Sequence, residues 1–127
     1  MKYKHLILGL FLVSQLSIGQ ELKEYNGASL QDYESFSVDS FYKKIELDYG
    51  TLDEYGNHIS IIYAKSEVKF ESGQYEIEIS DGPGELYEVI GADLFVQFRG
   101  YYGDVGYRDK CVLAVQEDGV SVVYKLE

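Results

Sequence analysis

The chain has 127 residues, with 22 Asp and Glu against 11 Lys and Arg for a formal charge of −11, one cysteine and no tryptophan. A single cysteine excludes an internal disulfide, and the length suits one domain around one hydrophobic core. The acidic balance argues against a nucleic-acid partner, whose phosphates need clustered Lys and Arg.

Lys2 and Lys4 precede an apolar run from Leu6 to Val13, and Ser17-Ile18-Gly19 offers a small-residue exit. This is the pattern of a secretory signal peptide over residues 1–19, cleaved before Gln20. The run is shorter than the roughly 20 apolar residues of a membrane span, so no membrane span is expected. No cysteine follows it, so a lipid anchor is not expected either. The expected product is secreted or periplasmic; losing Lys2 and Lys4 takes the basic residues from 11 to 9 and the formal charge from −11 to −13. Acidity of this size serves solubility and leaves a cationic partner open.

Residues 20–39 are polar, with Asn26-Gly27, scattered serines and no clean periodicity, and read as a flexible leader before an all-β domain over 40–127. Tyr25, Leu30, Tyr33 and Phe36 leave room for a docked edge segment in it. Period-two alternation follows. Phe41, Lys43, Ile45, Leu47 and Tyr49 share one face of a strand, and Ile59, Ile61 and Tyr63 share one face of the next.

Between those strands, the turn from Asp48 to Asn57 concentrates oxygen donors. Calcium takes six to eight such oxygens from a flexible loop, which makes Asp48, Asp53, Glu54 and Asn57 candidate metal ligands and calcium the one cofactor suggested. The spacing is not that of an EF-hand. Solvated loop acids are the simpler reading.

Three hairpins follow with defined registers. A Ser72-Gly73 turn sets Phe70 opposite Tyr75 and Val68 opposite Ile77, at the expense of facing Glu67 with Glu78. A Gly91-Ala92 turn sets Val89 beside Leu94 and Tyr87 beside Val96, with Phe98 continuing the buried face. An Asp118-Gly119 type I′ turn sets Val115 beside Val122, Leu113 beside Tyr124 and Cys111 beside Leu126, with Ser121 and Lys125 on the opposite face.

Seven or eight short strands with Gly-rich turns and no amphipathic helix predict a single small antiparallel β-sandwich, with a small β-barrel as the alternative. The run from Val68 to Ser80, a short strand, a Gly turn and then Tyr-x-Ile-x-Ile, resembles strand pairs of immunoglobulin-like and transthyretin-like modules. That resemblance implies a sandwich and carries nothing about activity.

Catalytic chemistry finds little support. The chain after residue 19 has one histidine, His58, at the mouth of a strand after Gly56-Asn57, and no Gly-x-Ser-x-Gly elbow. Cys111 opens the apolar alternation Cys111, Leu113, Val115 and reads as a buried thiol rather than a nucleophile. Carboxylates such as Glu76 and Glu78 read as the solvated face of a strand, so a small hydrolase, glycosidases included, is disfavoured.

The stretch from Arg99 to Lys110 is longer than a tight hairpin needs and mixes tyrosine, arginine and glycine. Arg99, Tyr101, Tyr102, Tyr107 and Arg108 are the candidate ligand-binding residues. Rings anchor, guanidinium forks take carboxylates, and glycine lets backbones approach. The competing reading is a self-packed loop, its tyrosines capping the core and its arginines paired with Asp104 or Asp109. The sequence therefore points to an exported, non-catalytic binding module of the cell envelope or extracellular space for a protein or glycan partner, with a calcium-stabilised structural or accessory domain as the alternative. The absence of tryptophan weakens the glycan option.

Overall fold

The computed structural model describes residues 22–103 and 105–126. The expected signal peptide lies outside the described residues. Eight strands occur in chain order: β1 (Lys23–Glu24), β2 (Glu34–Glu46), β3 (Ile61–Ser66), β4 (Gly73–Asp81), β5 (Tyr87–Val89), β6 (Leu94–Phe98), β7 (Asp109–Val115) and β8 (Ser121–Lys125). There is no helix among the described residues, and so none long and apolar enough to cross a membrane.

All pairings are antiparallel, and six strands close a ring in the order β2, β8, β7, β4, β5, β6 and back to β2. The fold is all-β, and its architecture is the barrel, not the sandwich. The pairing that closes it joins β4 to β7 over seven residue pairs, from Gly73 with Val115 to Ile79 with Asp109. β1 attaches beside β4, and β3 beside β2.

The 13-residue β2 makes closure possible by serving three neighbours. Glu34–Ser37 pair with β8, Val38–Tyr42 with β6, and Phe41–Glu46 with β3. A register shift between Val38 and Ser40 marks a bulge at Asp39. Such a bulge bends a strand and increases its twist, as a small closed sheet requires. It also explains why Val38 and Phe41, three residues apart, both reach the core. β2 begins inside the segment expected to be a leader. Leu22 packs on the core and Leu30 is buried, so residues 22–39 belong to the folded domain. The docked alternative describes them better than the flexible one.

The interior is filled by alternate residues of the ring strands, among them Tyr75, Ile77 and Ile79 of β4, Leu94, Val96 and Phe98 of β6, and Cys111, Leu113 and Val115 of β7. Ile45, Phe95 and Val112 are buried without joining that cluster, so parts of the outer face are covered too. One such contact sets the Tyr63 ring edge-on to Phe95 at 5.0 Å.

The three hairpin readings fare differently. The β5–β6 register is as read, Val89 with Leu94 and Tyr87 with Val96. Its loop is a four-residue turn with positive φ at Gly91 and Asp93, and Ala92 N–H donates to Val89 C=O.

The β7–β8 register is displaced by one residue, pairing Val115 with Ser121, Leu113 with Val123 and Cys111 with Lys125. The loop is Glu117-Asp118-Gly119, bracketed by Gln116 N–H to Val120 C=O at 2.9 Å. Gly119 N–H donates to Gln116 C=O at 2.9 Å and Gly119 has φ +90°. This is a type I turn ending in a glycine bulge, the usual three-residue hairpin. Asp118 reinforces it by accepting the Val120 N–H at 3.0 Å. One residue reverses every side chain. Ser121 and Val123 therefore face the core side, and Lys125 shares their face.

The Ser72-Gly73 hairpin does not form. β3 ends at Ser66, residues 67–72 belong to no strand, and β4 pairs with β7, β5 and β1 instead. The rings of Phe70 and Tyr75 still meet at 6.2 Å. Pairing β4 with β7 aligns Tyr75 with Leu113 and Ile77 with Cys111 and avoids facing Glu67 with Glu78.

Candidate functional site

The loop from Arg99 to Arg108 connects β6 to β7 at one end of the barrel. Arg99 makes the last tie to β2, donating its backbone N–H to Ser37 C=O at 3.0 Å. The next landmark is Tyr102, which turns inward and is 4% exposed. Its ring stacks on Phe98 at 4.9 Å with an interplanar angle of 13° and packs on Phe36 at 4.6 Å and Tyr87 at 5.2 Å. Such contacts add to the area the ring removes from water.

Below the ring lies a polar cluster that ties the loop to two strands. The Tyr102 hydroxyl is 3.3 Å from Asp109 Oδ2 and 3.3 Å from Cys111 Sγ. Lys125 Nζ lies 3.6 Å from Asp109 Oδ2 and 5.1 Å from the centre of the Tyr102 ring. The other carboxylate oxygen, Asp109 Oδ1, accepts the Gly106 N–H at 3.2 Å, and the Tyr87 hydroxyl donates to Gly103 C=O at 3.3 Å. Gly103 has φ +103°, which a residue with a Cβ rarely adopts.

Burial raises the Tyr102 hydroxyl far above the usual tyrosine range, helped by Cys111 and Asp109. The Cys111 thiol is pushed up to about 11, chiefly by burial and in small part by Asp109, against the lowering effects of the Tyr102 hydroxyl and Lys125. Both groups keep their protons at neutral pH. Cys111 is 1% exposed, which suits the structural thiol that its alternation suggested.

On the outer side the loop presents Tyr101 and Tyr107, 83% and 89% exposed. The Arg108 guanidinium sits 5.8 Å from the Tyr107 ring centre and bonds Glu78 Oε1 at 3.1 Å. Among the described residues Glu78 is thus its partner, in place of the expected Asp109; Asp104 lies outside the described residues. Arg99 is exposed. Of the five candidates, Tyr101, Tyr107, Arg99 and Arg108 face solvent. Tyr102 does not, because the barrel end offers it an aromatic niche. Its role is to anchor the loop.

The calcium candidates fall at the tip of the β2–β3 arm. Asp53 Oδ1 accepts the N–H groups of Tyr55 and Asn57, each at 2.9 Å, and the Asn57 backbone bond leads in holding its carboxyl below the usual range. Asp48 uses its backbone carbonyl to accept the Thr51 hydroxyl at 2.6 Å. Asp48, Glu54 and Asn57 are exposed. Among the described residues no three His, Cys, Asp or Glu side chains converge as a metal site would require. His58 is exposed on the same arm, where it bridges to Leu52.

The arm also carries a feature that sequence reasoning passed over. Tyr49 is fully exposed and Tyr55 is 81% exposed. Both sit next to a glycine in a turn-rich stretch, Tyr49 before Gly50 and Tyr55 before Gly56, as Tyr101 follows Gly100 and Tyr107 follows Gly106. No protein-family model, curated protein or solved structure is matched by the chain.

Proposed function

We propose that the protein is an exported, non-catalytic binding module that recognises a protein or glycan partner through the loop between β6 and β7. Tyr101 and Tyr107 supply the contact area, and Arg99 and Arg108 supply forks for carboxylates. The observation that carries this reading is the opposition within one loop: two tyrosines stand in solvent while Tyr102 between them is stacked into the barrel end. Rings held by a pinned backbone lose little conformational entropy on binding, which favours recognition over self-packing. Export rests on the residues 1–19 pattern and agrees with the acidic composition.

The test is affinity capture from the envelope and medium of the producing cells, comparing the parent with a Tyr101→Ser, Tyr107→Ser variant. Tyr102 stays intact so that the barrel end is undisturbed. Retention of a partner by the parent and its loss by the variant, at unchanged melting temperature, is the expected result. Equal capture by both removes the loop as the site.

A further inference from the structure

Strand β3 has β2 on one edge and, among the described residues, no strand on the other. The chain then runs from Glu67 to Ser72 without joining a ladder. It still alternates as a strand does. Val68 is buried and the half-buried Phe70 packs on Phe41 at 5.5 Å, whereas Lys65, Glu67, Lys69 and Glu71 are exposed. Two local bonds hold it, Val68 N–H to Ser66 Oγ at 3.2 Å and the Tyr75 hydroxyl to Glu71 C=O at 2.6 Å. The pairing of β4 with β7 leaves this edge open, and an open edge is a template for another strand.

The charges along it select which strand. Lys65, Glu67, Lys69 and Glu71 alternate in sign at every second residue, and none of them joins an ion pair among the described residues. Antiparallel pairing with the same edge of a second copy, centred on Val68, sets Glu67 opposite Lys69 and Lys65 opposite Glu71. The two-fold axis repeats each pair. Opposite charges directly across an antiparallel pair attract, and like charges repel.

Neighbouring registers fail. A slide of two residues one way faces Lys69 with Lys69 and Glu67 with Glu71. The opposite slide faces Glu67 with Glu67 and Lys65 with Lys69. A slide of one sets the charged row against the apolar row. Charges placed only to repel other chains would not need a self-complementary order.

We propose that the edge Lys65–Glu71 pairs with its counterpart in a second copy of the chain, forming a two-fold antiparallel dimer centred on Val68. The interface is short, so the association is weak and salt-sensitive. It involves neither Tyr101 nor Tyr107 and stands independently of the binding loop.

Sedimentation equilibrium of the purified protein, at rising concentration and at low and high salt, tests this. Glu67→Lys and Lys69→Glu each turn two attractive pairs into repulsive ones and should weaken association about tenfold or more. The double variant Glu67→Lys, Lys69→Glu should restore it, and the two single variants should associate when mixed. All sites are exposed, and a thermal melt checks each fold. A parent that stays monomeric at the highest soluble concentration overturns the proposal. So does a double variant no better than the singles. The Tyr101→Ser, Tyr107→Ser variant should associate as the parent does, which separates this result from that of the loop.

Discussion

At the scale of the residue, Tyr102 shows how one side chain can serve the loop by leaving the surface. Its ring, stacked on Phe98, and its hydroxyl, set between Asp109 and Cys111, have separable contributions. Tyr102→Phe keeps the ring and removes the hydroxyl, and should destabilise by about 1 kcal/mol, the net worth of a typical hydrogen bond. Tyr102→Ala also opens a cavity in the aromatic cluster, and should lose about 3–5 kcal/mol. Denaturant melts of the two variants check the difference. Near-equal losses would mean that the ring packs loosely. From the sequence, Tyr101, Tyr102 and Tyr107 were equivalent, because adjacent tyrosines in an irregular loop carry no periodicity. Which of them found a niche depended on Phe36 and Tyr87, distant in the chain.

At the scale of the element, the β7–β8 hairpin shows what a turn motif leaves open. Asp118-Gly119 was legible as a turn, and its glycine does take the positive φ. Whether the loop holds two residues or three was not legible, since Asp-Gly satisfies both an I′ turn and a type I turn with a glycine bulge. The difference of one residue placed Lys125 on the face that reaches Tyr102. Deleting Glu117 leaves Gln116 and Val120 flanking Asp118-Gly119, the geometry of a two-residue turn. We expect the variant to keep the barrel and the observed register, with a stability change within about 1 kcal/mol, as short type I′ loops suit the strand twist. Cross-strand amide contacts between Leu113 and Val123 in an NMR spectrum would check it; contacts between Leu113 and Tyr124 would contradict it. The β5–β6 register was readable because alternation and turn agreed on one pairing.

At the scale of the whole molecule, stability depends on a closed ring without disulfides, with Cys111 protonated inside it. A thiol whose folded pKa is about 11 against an ordinary 9.0 favours the fold fully below pH about 9, and loses that contribution as pH rises toward 11. Tyr102, shifted in the same direction, extends the loss to higher pH. Stability should therefore fall on the order of 2 kcal/mol between pH 9 and 11 from Cys111 alone. Denaturant titrations at both pH values check this, and Cys111→Ala should flatten the slope. An equal slope in that variant would place the alkaline sensitivity elsewhere.

Local chemistry determined that the protein is all-β, where most turns lie, which of its alternating rows are apolar, and that Arg99 to Arg108 forms a loop longer than a hairpin needs. These follow from neighbours within a few residues. Only the tertiary structure decided that β4 closes the ring on β7, that the polar stretch before residue 40 supplies β1 and the start of β2, and that Val68 to Phe70 is left as an open edge. Each of those outcomes is a competition among strands with similar apolar rows. Side-chain alternation marks the apolar row of most strands, but in β8 the turn length placed Ser121 and Val123 inward in place of Val122 and Tyr124. Each strand's partner is set by the pairing that best fills the shared interior.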